Sequence, residues 1–161
     1  MLNKVAIKNQ AEVEALFPVI EEIWREVFTP MIGKAQVDYM MEHYQSVPVI
    51  LAEIREGAHY FALRAANETV GYTAYELKDD EILFISKLYI RQDYRGKGYM
   101  RDIFDWYEKL ANSLGCKQQL KVNQDNQRAI DIYRHRGFSV IREQIVAIGS
   151  GFVMKDYILE K

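Results

Sequence analysis

Residues 88–100 read Leu-Tyr-Ile-Arg-Gln-Asp-Tyr-Arg-Gly-Lys-Gly-Tyr-Met: an apolar strand, a turn holding Gly96 and Gly98, then the opening of an amphipathic helix. Two glycines this close let the backbone bend so that successive N–H groups converge on one point. The following helix adds unpaired N–H groups and the positive end of its dipole, and together these make an anion site. The charge agrees. Residues 87–101 carry Lys87, Arg91, Arg95, Lys97 and Arg101 against Asp93 alone, a local +4 in a chain of net charge −2. Two familiar phosphate loops are excluded. Nothing matches G-x-x-x-x-G-K-[ST], and G-x-G-x-x-G fails because Arg101 stands in its last position. A strand-to-helix turn with a solvated basic face would also explain the glycines, so the rest of the chain has to decide.

The chain has 161 residues, 49% hydrophobic and 27% charged, which suits one globular domain spanning 1–161. Its net charge of −2 argues against an extended polyanion such as duplex nucleic acid as partner. The single Cys116 excludes an internal disulfide, and His43, His59 and His135 are too scattered for a zinc cluster, so no metal is expected. No apolar run approaches the roughly 20 residues of a membrane span, and no secretory h-region opens the chain. A cytoplasmic location away from membranes is the expectation.

The hydrophobic pattern predicts a strand over Val5–Lys8 and a helix over Ala11–Phe28, with Leu16, Ile20, Ile23 and Val27 on one face and Thr29-Pro30 as its stop. Val37, Met40, Met41 and Tyr44 mark a second helix, and Ser46 caps a third, Val47–Glu56, ended by Gly57. The period then changes to two. His59–Ala66 and Thr69–Leu77 read as a hairpin, and Ile82–Arg91 as a further strand. Tyr99–Leu114 returns to helix with Gly115 behind it. Gln119–Val122 is a strand, Asn126–Arg136 a helix, and Phe138–Ile148 and Phe152–Leu159 a final pair of strands. This order mixes hairpins with crossovers, which gives an α/β (α+β) fold with a mixed sheet flanked by helices.

Arg95-Gly96-Lys97-Gly98 behind an apolar strand resembles the acetyl-CoA site of the GCN5-related N-acetyltransferases (GNAT), whose pattern [QR]-x-x-G-x-[GA] opens a long helix. Arg95 and Gly98 match the first two fixed positions, and Met100 replaces the small third residue. A second segment, Leu120 to Phe138, is similar to the family's strand followed by N-x-x-A-x-x-x-Y-x-x-x-G-F, with Asn126, Ala129, Tyr133, Gly137 and Phe138 all matching. One amphipathic helix and one short strand separate the two, as in the family. Two patterns in the right order are far more specific than either alone.

The resemblance implies a mostly antiparallel sheet of about seven strands, with acetyl-CoA wedged between two splayed parallel strands, Ile82–Arg91 and Gln119–Val122. The pantetheine arm would pair with the backbone of Leu88, Tyr89 and Ile90 like an added strand. Amides from Arg95, Gly96, Lys97, Gly98, Tyr99 and Met100 would hold the pyrophosphate. Asn126 would bond the cofactor arm while also capping its helix, and Asn123 would line the wall. The implied reaction is direct acetyl transfer, in a ternary complex, to a primary amine of a small molecule or a protein.

Such a reaction needs a neutral amine, an N–H donor for the oxyanion (near Leu88 by the resemblance) and a proton for the departing thiolate. Tyr133 matches the family's helix tyrosine, and a phenol of pKa about 10 can protonate a thiolate whose thiol lies near 8.5. It also shares an apolar face with Ala129 and Ile130, where an aromatic would serve the core. No general base stands in Phe84-Ile85-Ser86-Lys87-Leu88, and Glu76 and Glu81 are the acids nearest to it. Cys116 reads as a small packed residue.

For the acceptor, residues 28–31, 36–40 and 151–158 resemble a bacterial subgroup of diamine or polyamine acetyltransferases, with Asp38, Glu42 and Asp156 as acids that could attract a polyamine. Relatives are often dimers built on the C-terminal strands, so a homodimer is expected. A competing reading of another class is a CoA-binding sensor that has lost catalysis, motivated by Met100 and by the absent strand acid.

Overall fold

The computed structural model describes Leu2–Lys161. Seven strands and five helices alternate in the order β1 (Asn3–Ile7), α1 (Gln10–Ile32), α2 (Lys34–Tyr44), α3 (Val47–Arg55), β2 (His59–Ala65), β3 (Glu68–Lys78), β4 (Ile82–Ile90), α4 (Tyr99–Leu114), β5 (Lys117–Asn123), α5 (Gln127–His135), β6 (Ser139–Gly149) and β7 (Phe152–Glu160). The strand order across the sheet is β1-β2-β3-β4-β5-β7-β6. This is the mixed α/β architecture that the pattern of periods implied. The chain gathers into two compact units, one of the residues up to Glu76 with Lys87–Ile103, the other of Leu77–Ser86 with Phe104–Lys161.

In the first unit β1, β2 and β3 form an antiparallel meander. Helix α1 buries Val13, Leu16, Ile20, Ile23, Trp24 and Phe28, and the Asn9 side chain caps its start by accepting from the Glu12 N–H at 2.9 Å. It differs from expectation at its far end. Pro30 does not stop it: the helix runs to Ile32 with Pro18 and Pro30 both inside it. A proline in the last turn costs one helical hydrogen bond while its fixed φ still suits the helix. The stop is Gly33, whose φ of +84° leaves the helical region while its N–H bonds back to Thr29 O at 3.0 Å.

A polar chain threads this unit's interior. Trp24 Nε1 donates to Tyr72 Oη at 2.6 Å, Tyr72 Oη to Gln45 Oε1 at 2.8 Å, and Gln45 Nε2 to Tyr60 Oη at 3.2 Å. Tyr60 Oη then donates to Glu53. Fully buried Gln45 is thus satisfied on both ends of its amide, which is the condition for a polar side chain to sit in a core.

In the second unit β4 pairs in parallel with β5 from Ile82–Lys117 to Ile85–Leu120, and β7 runs antiparallel between β5 and β6. Leu83, Leu120, Leu159, Phe104, Tyr107 and Phe138 form its core. Helix α4 begins and ends where its apolar stripe predicts. Four stripe residues, Ile103, Phe104, Tyr107 and Ala111, are buried, while Leu114 at the last turn is exposed. Among the described residues no helix is long and apolar enough to cross a membrane.

Candidate active site

The loop after β4 has the conformation its glycines predict. Gly96 and Gly98 both take left-handed backbone, φ +79° and +85°. A Cβ at Gly96 would meet nothing within 4 Å, so the glycine is there for its conformation and not for space. The first amide to bond into the helix is that of Asp102, to Gly98 O at 3.2 Å. The amides of Tyr99, Met100 and Arg101 ahead of it are therefore the helix's orphan donors, free for an anion.

Arg95 has a different place from its neighbours. Its own N–H donates to Gln92 O at 3.3 Å, its Nε donates to Ile90 O at 3.0 Å, and its guanidinium grips Glu26 of α1 with both terminal nitrogens. One turn earlier on the helix Glu22 takes Arg91, at 2.7 and 3.1 Å. Arg91 holds the Glu22 carboxyl below its ordinary range, mainly through that hydrogen bond. Two of the five cations of the segment are thus committed to α1, where they clamp the loop to the helix. Lys97 and Arg101 remain beside the orphan amides, Lys97 with its Nζ 5.4 Å from the Tyr94 ring centroid.

The C-terminal half of β4 is fixed from β3. Thr73 Oγ1 donates to Lys87 O at 2.6 Å, and the Arg91 N–H donates to Val70 O at 2.7 Å. Between these points β3 carries Gly71, and a Cβ there would stand 2.1 Å from Tyr89 O. Only glycine lets the two backbones approach so closely. The Tyr89 ring lies against Trp24, Phe28 and Tyr72, at 6.4, 6.2 and 5.5 Å between centroids. Leu88 and Ile90 are buried. The side chains of Leu88 and Ile90 are thus turned into the core, and any part these two residues play for a ligand falls to their backbone.

The second unit carries the other motif. Asn126 caps α5, its Oδ1 accepting from the Ala129 N–H at 3.2 Å, which leaves its Nδ2 donors uncommitted. Asn123, at the end of β5, turns its Oδ1 to the Asp125 N–H at 2.8 Å. Tyr133 packs edge-on to Phe104 at 5.8 Å and beside Phe138 at 6.3 Å. The ring therefore belongs to the core, while among the described residues no group bonds its hydroxyl. Burial pushes that hydroxyl up to about 12, against a smaller opposing pull from Arg128.

The structure also sorts the acids named from sequence. Asp38 is held by Arg25 and by Lys34, both at 2.7 Å. Glu42 is exposed, 3.8 Å from His43. Asp156 alone is buried, at 3% exposure. Cys116 Sγ lies 3.6 Å from Asp80 O and 3.8 Å from Leu114 O. Among the described residues no group of three or more His, Cys, Asp or Glu could hold a metal ion.

A strand, a glycine loop with orphan amides and a helix, followed by a strand and an asparagine-capped helix bearing a tyrosine, define an acetyltransferase class. The sequence profile of the acetyltransferase (GNAT) family matches residues 17–138, and the chain belongs to that family of N-acetyltransferases. A comparison with curated proteins gives no match. Solved structures share the fold. The PaiA N-acetyltransferase of Thermoplasma acidophilum, in complex with coenzyme A, superposes with a TM-score of 0.80 at 17% identity over 100% of this chain and 98% of its own. The microcin C7 self-immunity acetyltransferase MccE, in complex with acetyl-CoA and AMP, gives 0.72 at 15% over 99% and 91%. NAA60 of Arabidopsis thaliana, in complex with a bisubstrate analogue, gives 0.65 at 14% over 99% and 98%.

Proposed function

We propose that this chain transfers the acetyl group of acetyl-CoA directly to a primary amine, with both substrates bound at once. The observation that carries the reading is the loop at Gly96–Gly98: two left-handed glycines ahead of a helix whose first amides have no internal acceptor. Such a concave set of donors fits a pyrophosphate. Bound acetyl-CoA supplies an activated thioester and a thiolate leaving group. The residues of the chain do the positioning. Amides of Gly96, Lys97, Gly98, Tyr99 and Met100 hold the pyrophosphate, with the Lys97 and Arg101 charges beside them, while Arg95 keeps the loop in shape through Glu26. The backbone of Leu88, Tyr89 and Ile90 aligns the pantetheine arm, Asn126 Nδ2 donates to it, and Asn123 lines the wall. Tyr133 Oη donates to the sulfur as charge develops there.

Calorimetry with acetyl-CoA should show saturable one-to-one binding. A screen of diamines, polyamines, other small amines and lysine peptides, read by free thiol, should then yield an N-acetylated product by mass spectrometry. No saturable binding would sink the proposal. Binding with no transfer to any amine would favour the sensor.

We also infer a homodimer built on the C-terminal strands. β6 is an edge strand of 11 residues, and it exposes Ile141, Ile145 and Val146 beside Val153 of β7. Long apolar edges of this kind are normally covered. Sedimentation equilibrium should return twice the chain mass of 18.9 kDa, and Ile145→Lys should return the monomer. A wild-type protein that stays monomeric at high micromolar concentration would exclude the pairing.

A further inference from the structure

Asp156 is a buried carboxylate with nothing to hold. It sits on β7 opposite Asn123 of β5 on one side and Gln144 of β6 on the other. Among the described residues it has no ion pair and no side-chain hydrogen bond; the Gln124 amide that comes near bonds the Asp156 main-chain carbonyl instead. Two pairs along the same face, Glu160 shows the ordinary arrangement: it accepts from Gln119 at 2.8 Å and lies 3.6 Å from Lys117. The contrast is between two carboxylates on one strand face, one satisfied and one not. Yet the oxygens of Asp156 are not sealed off, since the one fully enclosed side-chain polar atom lacking a partner among the described residues is Arg136 Nε. A buried anion normally has a cation or donors beside it. Here the charge of Lys121, two residues from Asn123 on β5, offsets only part of the loss of water, and burial raises the carboxyl above its usual range.

The place of Asp156 matters as much as its isolation. Asn123, its partner in register, ends β5 and opens the turn to Asn126. Ligands of α/β sheets collect outside the carboxyl ends of strands, and on the reading above Asn126 holds the cofactor arm there. We propose that Asp156 is the acceptor's carboxylate: it pairs with the ammonium group of the incoming amine and takes its proton. This deepens the proposed function and rests on it. The substrate ammonium gives one proton to Asp156, which passes it to water. The freed nitrogen lone pair forms the C–N bond as the C–S bond breaks. A second proton leaves nitrogen, and the sulfur gains one through Tyr133, so the products are an amide, a thiol and one released proton.

The acceptor is therefore an amine that arrives as a cation, and a hydrazide, neutral at the assay pH, is the control. In Asp156→Asn, acetyl transfer to 1,4-diaminobutane or another amine used by the wild type should fall at least 100-fold in kcat/KM. Transfer to the hydrazide should fall less than tenfold, acetyl-CoA affinity should stay within twofold, and Tm should hold or rise. Transfer to the alkyl amine within threefold of wild type overturns the proposal, and so does equal loss for both acceptors or a fall in Tm. Calorimetry of 1,4-diaminobutane with the CoA-loaded protein separates this idea from the one beneath it. Binding that weakens at least tenfold in Asp156→Asn, with no transfer by the wild type, supports the ammonium site and removes the transferase reading. No amine binding to the loaded wild type, or binding that the variant retains, overturns the site.

Discussion

Tyr133→Phe should lose about 100-fold in kcat, the lower end of what a positioned proton donor contributes, while acetyl-CoA affinity stays within twofold. The fold should scarcely notice. The ring keeps its contacts with Phe104 and Phe138, and removing a hydroxyl that no group among the described residues bonds leaves no orphan behind. The expected stability change is within about 0.5 kcal/mol. The value near 12 for this hydroxyl sharpens its chemistry. At that value the group is protonated throughout the physiological range, as a donor must be. Complete transfer to a thiolate whose thiol lies near 8.5 would be uphill by about 3.5 units, or roughly 5 kcal/mol. Tyr133 is therefore best suited to donate a hydrogen bond to sulfur while the C–S bond is breaking, with the proton following. A raised pKa also places the loss of the donor above the neutral range, so wild-type kcat should show no falling limb from Tyr133 below about pH 11. Parallel loss of affinity, Tm and kcat in the variant would make this tyrosine a packing residue only.

The motifs were legible in the sequence because they are local. The glycine loop, the helix behind it and the Asn126 cap are each set by residues within a few positions, and their conformations follow from φ preference and orphan donors. What local reasoning missed came from far along the chain. Arg91 and Arg95 look like ligands for phosphate when only the loop is in view. Their partners Glu22 and Glu26 stand 69 residues earlier, on a helix that no local view of the loop includes. A signal existed: both pairs are spaced four apart, so one helix turn can meet one loop turn. The end of α1 failed for another reason. By residue type Pro30 reads as a breaker, although in a last turn it removes a single bond. The separation of Asp156 from Asp38 and Glu42 was invisible, because in an alternating strand the burial of one position depends on what covers that face.

Gly71→Ala should be the most damaging single methyl group added to this protein. Its Cβ would stand 2.1 Å from Tyr89 O and 3.0 Å from Ile90 Cα, and both are backbone atoms. A flexible side chain could swing away from such a contact; a strand held on either side cannot. Thr73 pins Lys87 and Val70 pins Arg91, so β4 is fixed before and after the point of contact. The collision must open β3 from β4, which puts the cost at the upper end of overpacking, about 3 kcal/mol. For a chain of this size that corresponds to a fall of about 6–12 °C in Tm. The effect on function follows from the same displacement. The proposed contacts of Leu88, Tyr89 and Ile90 with acetyl-CoA are made by their backbone, so moving that backbone by a few tenths of an ångström should weaken acetyl-CoA by about tenfold, or roughly 1.4 kcal/mol. The variant thus couples a structural loss to a binding loss through one atom. Thermal unfolding and calorimetry on the same preparation test both, and a Tm within 2 °C of wild type would mean that the strands are not held as closely as Gly71 implies.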